Sequence, residues 1–368
     1  MFYEEFKKIL FKQKFLVIII LIICLKLGLS WYNSDKPVFN DDIKQSKYEW
    51  YLEKLDGELT DSKVDFIEKE KAKFDNIQNN LSDLINDLEN NKITENDFLS
   101  KNESLQKQLT YQDAFNEIYK QYKYVSEDSE SRYFLSVNNI YDLVAGENID
   151  YILVFFIIVF CSSIFSYEYY SKQFYINFTS KLGGNALSKI KIILSLSVCV
   201  FVCVLFSFIE FVFKADFSVL SYPVQSIPYF ESYKANATII EVFLKECLIK
   251  VLGAIYLAVT ILFVSNLIKS HLGTAFFGIA INFVPVIIKL PSYILHKIPL
   301  PICLLTPGAY FCGTKSIVLD DNICYLFKEI SVICKCFVLI FAFLISILMI
   351  PLIINSCSSK YKKSGLYK

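Results

Sequence analysis

The 368-residue chain is 54% hydrophobic, with a mean hydropathy of +0.41, and its apolar residues are gathered into runs, which excludes an ordinary water-soluble domain. Thirty-seven Lys and Arg balance 37 Asp and Glu, so nothing in the charge implies a nucleic-acid partner. Arg132 is the only Arg, and the eleven Cys lie mostly inside apolar runs, as small hydrophobes, without C-x-x-C or zinc spacing.

Residues 1–14 pattern as an amphipathic helix that can lie in a membrane interface. Phe2, Phe6, Ile9 and Leu10 or Gln13 share one face, and Glu4, Glu5, Lys7, Lys8 and Lys12 lie elsewhere. Residues 15–32 form a first span, too continuous for a cleaved signal peptide. Lys26 is expected to snorkel outward, and Trp31 and Tyr32 to sit among headgroups.

Residues 33–150 change character: the segment is acidic, with few Gly or Pro. Tyr48, Tyr51, Leu55 and Leu59, then Ile67, Phe74, Ile77, Leu81, Leu84 and Leu88, recur at helical, partly heptad spacing. Asn90 and Asn91 break the pattern, and Thr94 with Asp97 reads as a capping box for a second helix bearing Phe98, Leu105, Leu109, Phe115, Ile118 and Tyr122. The expectation is an antiparallel helical hairpin outside the membrane. Its carboxylates follow solvated helix faces and show no paired acid/base site.

Five further spans are predicted at about 151–167, 192–213, 247–268, 272–288 and 330–354, ahead of a basic tail at 358–368. The fold class is therefore all-α: a polytopic membrane protein with six transmembrane helices and an external hairpin domain. Lys is enriched in the short loops on the side of both termini, which places the termini in the cytoplasm of a multi-pass cell-membrane protein. Residues 289–328 hold Pro291, Pro299, Pro301 and Pro307, with short apolar pieces that could be re-entrant. Cys303, Cys312 and Cys324 in that segment are read as free thiols, one bridge being the alternative.

No Walker A, G-x-S-x-G, H-E-x-x-H or dinucleotide fingerprint occurs, and two His leave little for a His-based site, so catalytic residues and a metal are not expected. Glu210, Glu246 and Lys250 fall near span ends. Glu246 and Lys250, one turn apart, are placed to pair on one helix face, and all three are read in a structural role, a substrate contact being the alternative.

The stretch 167–191, YEYYSKQFYINFTSKLGGNALSKIK, lies between the second and third spans. Glu168 closes one span, Phe174 to Phe178 form a short aromatic segment, Thr179-Ser180-Lys181-Leu182-Gly183 makes a turn, and Lys191 enters the next span. This order resembles the cytoplasmic loop of ABC-2-type transporter permeases, with Lys172 where that family often has a small residue and Gly184 where it often has Arg. Leu305-Thr306-Pro307 before the last span resembles the family's external Leu-x-Pro. The resemblance covers the six spans and not the hairpin; large insertions after the first span occur in relatives from low-GC Gram-positive bacteria, whose Lys-, Ile- and Asn-rich usage this chain shares. It implies a permease subunit, most simply an exporter of a peptide, lipid or antibiotic-like substrate. A second permease subunit would pair with it as a homo- or heterodimer. Separate ABC ATPase subunits would carry the ATP and Mg, leaving no cofactor in this chain. The interfacial N-terminal helix and the loop at 168–191 would transmit ATPase closure, with Phe174, Tyr175 and Phe178 docking, Glu168, Lys172 and Lys181 orienting, Thr179 opening the turn, and Gly183 and Gly184 directing the backbone toward Lys191. Two other architectures place an external domain after the first span. FtsX/MacB-like permeases have four spans; YhgE/Pip-like secretion accessories or surface receptors use the external helical domain as the working part and need no ATPase. An intramembrane enzyme would need a catalytic pair that the sequence lacks.

Overall fold

A computed structural model describes residues 2–34, 37–90, 92–145, 149–171, 185–231, 233, 235–288, 292–312, 314–319, 323–328 and 330–363. The protein is an all-α polytopic membrane protein, with one two-stranded hairpin as its departure from helix. It divides into two units: residues 1–34, 141–215 and 240–368, and residues 35–140 and 216–239.

The membrane unit begins with α1 (Phe2–Lys7), which widens into a π-helical turn at Lys8–Lys12. Lys14 takes a left-handed backbone (φ 59°) and redirects the chain into α2 (Phe15–Tyr32). Ile9 and Leu10 are buried, whereas Phe2 and Phe6 of the expected apolar face are exposed. The other unit contributes α3 (Asp42–Leu55), α4 (Asp61–Glu89), α5 (Glu95–Leu109) and α6 (Gln112–Ser126), and α7 (Val137–Val144) has its first half in that unit and its second half in the membrane unit. The membrane unit continues with α8 (Tyr151–Tyr170), α9 (Asn185–Lys214), α10 (Ile239–Ile268), α11 (His271–Ile287), the short helices α12 (Ser292–Leu295), α13 (Pro301–Leu305) and α14 (Ala309–Cys312), strands β1 (Thr314–Leu319) and β2 (Ile323–Lys328), and α15 (Val332–Lys363).

Among the described residues, five helices, α2, α8, α9, α10 and α15, are long and apolar enough to cross a membrane. The fifth expected span, α11, has 17 residues with Pro285 inside, at the short limit of spanning length. Three spans are longer by more than one turn than the apolar runs suggest, the third starting at Asn185 and not at 192. The fourth starts at Ile239 because Glu241, Lys245, Glu246 and Lys250 continue its helix, and the last runs on through the polar tail to Lys363. Only Lys269 (φ 60°) and Ser270 separate α10 from α11, and Ser270 caps α11 by accepting from Gly273 N at 3.3 Å.

Close packing in this unit depends on two glycines. A Cβ on Gly253 would lie 2.8 Å from Leu304 Cβ and 3.0 Å from the Leu304 carbonyl carbon, so α13 seats directly on the α10 backbone. A Cβ on Gly278 would lie 2.6 Å from Ile261 Cδ1 and 3.1 Å from Ile158 Cγ2, where α11 meets α10 and α8. All five residues of α13 are buried. Tyr256 donates to the Pro299 carbonyl (3.1 Å) and Tyr310 to that of His296 (3.3 Å), fixing the proline-rich segment onto α10. Cys303 is a free buried thiol that donates to the Leu295 carbonyl; the side chains of Cys312 and Cys324 lie outside the described residues. The antiparallel pair β1–β2, in register from Thr314 with Lys328 to Leu319 with Ile323, is an element that apolar periodicity did not suggest.

In the second unit, α3 and α4 run toward the break at Asn90, and α5 and α6 return, with α4 packed on α5 and α3 on α6. Thr94 caps α5, accepting from Asp97 N at 3.2 Å. The core holds the seam residues Tyr48, Tyr51, Leu55, Ile67, Phe74 and Ile77 against Phe115, Ile118 and Val125. Each such side chain buried from water stabilises the unit by about 1.5–3 kcal/mol. Gly57 (φ 91°) exchanges both backbone hydrogen bonds with Phe134, a conformation that L side chains rarely adopt. Residues 216–239, distant in sequence, belong to this unit. Tyr124 donates to the Gln225 carbonyl (2.6 Å), Tyr133 N donates to Ser226 Oγ (2.9 Å), and Arg132 pairs with Glu127 (3.1 Å) and Glu231 (3.5 Å).

Candidate functional site: ion networks at the two ends of the membrane helices

Two groups of charged side chains are held inside the membrane unit, one at each end of α8 and α9.

At the first end, Glu168 sits in the last turn of α8 and Lys191 in the second turn of α9. Lys191 Nζ lies 2.5 Å from Glu168 Oε1, with side-chain exposures of 2% and 7%. Lys8, at the start of the π-helical turn, reaches the same oxygen at 3.1 Å and also pairs with Glu5 at 3.5 Å. One carboxylate therefore joins three segments: the N-terminal helix, the end of α8 and the start of α9. The Lys191 ammonium also lies 5.5 Å from the centre of the Phe165 ring. Beside this network is a cavity of about 630 Å³ lined by Tyr167, Tyr169, Tyr170, Lys269, His271 and Leu272, among others. Tyr170 is 90% exposed. His271 Nδ1 and Ser162 Oγ, 2.8 Å apart, tie the start of α11 to α8.

Of the loop residues singled out from sequence, the structure brings together Glu168 and Lys191. Lys172, Phe174, Tyr175, Phe178, Thr179, Lys181, Gly183 and Gly184 lie outside the described residues. Sequence reasoning placed Lys8 on a polar helix face and missed its role; the available signal was a Lys one turn from buried apolar positions on an amphipathic helix.

At the opposite end, Lys26 is drawn inward and does not snorkel. It is 8% exposed, with Asp150 Oδ2 at 2.7 Å and Glu210 Oε1 at 2.5 Å. Two carboxylates from neighbouring helices outcompete the headgroup region for its ammonium. Asp150 escaped notice in the sequence, although an Asp directly before an apolar run is an N-cap signal; its Oδ1 accepts from Leu153 N at 3.1 Å. The expected pairing of Glu246 with Lys250 is also corrected. Lys250 Nζ lies 3.6 Å from Glu210 Oε2 across the α9–α10 interface. Glu246 is fully buried, and neither of its oxygens accepts a hydrogen bond. The ion pairs run between helices because Lys26, Asp150, Glu210 and Lys250 converge there from α2, the start of α8, α9 and α10.

Among the described residues, no group of three His, Cys, Asp or Glu is placed to hold a metal ion. No protein-family model, curated protein or solved structure matches the chain.

Proposed function

We propose that the chain is the membrane-spanning permease subunit of an ABC-2-type transporter. In this reading it pairs with a second permease subunit and exports a peptide, lipid or antibiotic-like substrate, using ATP hydrolysed by separate ATPase subunits. The observation that carries the reading is the buried Glu168–Lys191–Lys8 network. A loop whose two ends are clamped to each other and to an interfacial helix passes a push from a docked partner to α8, α9 and α1 as one body. A salt bridge lacking either partner would leave a buried charge unpaired, so the clamp resists separation. The aromatic-lined cavity beside it, with exposed Tyr170 and Leu272, offers apolar surface at the same end.

The test is purification of the full chain with its ATPase. Replacing Phe174 and Phe178 by Asp is expected to leave membrane insertion intact and to abolish ATPase co-purification. A double variant that keeps its ATPase and transports normally overturns the reading. Orientation is tested by single Cys substitutions: position 75 is expected to react only from outside the cell and position 181 only from the cytoplasm.

A further inference from the structure

Among the described residues of the membrane unit, Glu246 stands apart from the other acidic side chains. It is 0% exposed, on a helix long and apolar enough to cross a membrane. Both carboxyl oxygens are buried and accept no hydrogen bond. An ionised carboxylate in such a place is very costly unless it is paired and hydrogen-bonded.

The charged groups acting on Glu246 are Lys250, one turn along α10, and Glu210, on α9. These two are engaged with each other, Lys250 Nζ lying 3.6 Å from Glu210 Oε2. Their charges therefore largely cancel at Glu246. The rest of the network faces Glu210 and does not reach Glu246: Lys26 from α2 at 2.5 Å, Asp150 through Lys26, and Lys214 at the end of α9. Cys247, the next residue on α10, and Cys203 on α9 are the neighbouring thiols, and both act on the same Lys250. A metal cation would need several oxygen ligands, and among the described residues Glu246 belongs to no such group. The one cation that needs no further ligand and no room is a proton.

We propose that Glu246 is a proton-binding site within the membrane span, a carboxylic acid in the packed state that ionises only when the ends of α9 and α10 part. In that step the carboxyl O–H bond breaks, its electron pair stays on the oxygen, and the proton passes to water entering between the helices. The carboxylate so formed is then exposed to Lys250 and to any cationic group of a ligand. Each opening of this end of the helices thus releases one proton and each closure takes one up. The inference is independent of what the chain transports and of any ATPase.

The experiment uses the full chain in phosphatidylcholine vesicles. The infrared difference spectrum between wild type and Glu246→Gln is expected to contain the carbonyl stretch of a protonated carboxylic acid that shifts in deuterated water. Loss of carboxylate stretches alone overturns the proposal, and if those bands then depend on sodium or potassium the site holds a metal cation instead. A second readout needs no variant. A membrane-soluble carbodiimide adds the carboxyl oxygen to its central carbon and the acid proton to its nitrogen, and the adduct rearranges to a stable acylurea. Wild-type protein is expected to carry that adduct on Glu246 by peptide mass, and an unmodified Glu246, with the reagent found on other carboxyls, overturns the proposal.

Discussion

Glu168 and Lys191 form an ion pair 2.5 Å long between the last turn of one membrane helix and the second turn of the next, with both side chains buried. The pair is weak evidence of net stability, since two charges had to leave water. Removing one partner is different, because the other is left buried and uncompensated, at about 3–5 kcal/mol. Glu168→Gln and Lys191→Met are each expected to lower the thermal midpoint of the full chain in detergent. The double variant is expected to cost less than the sum of the two, and the thermal midpoints of the four proteins give the coupling. Lys8→Ala should be milder, since Glu168 keeps Lys191 at 2.5 Å as its counter-charge.

The two close-packed glycines are expected to respond differently to relief. Gly253→Ala pushes a methyl into Leu304 Cβ and its backbone, which Leu304→Ala does not remove. Overpacking of this kind costs about 1–3 kcal/mol. The effects of Gly253→Ala and Leu304→Ala on the thermal midpoint should therefore simply add. Gly278→Ala meets Ile261 Cδ1, the end of a flexible side chain, at 2.6 Å. Ile261→Val removes that atom, so the pair should recover part of the loss caused by Gly278→Ala alone.

The difference between what the sequence disclosed and what it hid follows from range. Apolar runs set the position of α2 and α8, and the three- and four-residue steps from Ile67 to Leu84 marked the buried face of α4, because both signals repeat within one element. Thr94 and Asp97 announced the start of α5 for the same reason. Lys26 with Asp150 and Glu210, and Lys8 with Glu168, join residues far apart in the chain, and single-sequence spacing carries no trace of such pairs. The assignment of residues 216–239 to the helical unit was hidden likewise, since Gln225, Ser226 and Glu231 look like ordinary loop residues until Tyr124, Tyr133 and Arg132 are seen beside them.

Buried tyrosines give the helical unit an alkaline limit. Burial pushes the Tyr48 phenol up to about 12, with the Glu117 carboxylate adding to it, and burial likewise lifts Tyr124 to about 12 against the opposing Arg132 charge. Burial, then its hydrogen bond to Glu70, raises Tyr51 further. Each phenol keeps its proton longer in the folded state than in the unfolded state, where it titrates near 10. Their contribution is thus fully present below about pH 10 and is lost as pH rises toward 12, at about 1.4 kcal/mol per pH unit per group. Trp50 fluorescence in a Trp31→Phe background should report alkaline unfolding of this unit. Tyr48→Phe is expected to make the fall in stability less steep over that window, and an unchanged slope would remove Tyr48 as a cause.

The helical unit is built from two stretches of chain, and its stability should depend on both. A fragment of residues 37–140 retains the four helices, the Gly57–Phe134 exchange and the core around Tyr51, Phe115 and Ile118. It lacks Tyr222, Gln225, Ser226 and Glu231, so the Tyr124 hydroxyl and Tyr133 N–H lose their acceptors, Asp56 loses the Tyr222 hydroxyl, and Arg132 keeps Glu127 and the Tyr124 carbonyl but loses Glu231. Each such neutral hydrogen bond contributes about 0.5–1.5 kcal/mol net, and the pairs of the buried Arg132 with exposed carboxylates contribute less. The fragment is therefore expected to be strongly helical by circular dichroism but to melt below a version in which residues 216–239 are joined to its C-terminus by a flexible linker. Glu231→Ala in the joined protein should reproduce little of that gap, because its carboxylate is exposed, whereas truncating the fully buried Val224, Ile227 or Phe230 should reproduce more of it than Ser226→Ala. A spectrum without helix would mean that the seam from Tyr48 to Leu84 needs the membrane unit to form, and equal melting of the two versions would mean that residues 216–239 only lie against the unit without supporting it.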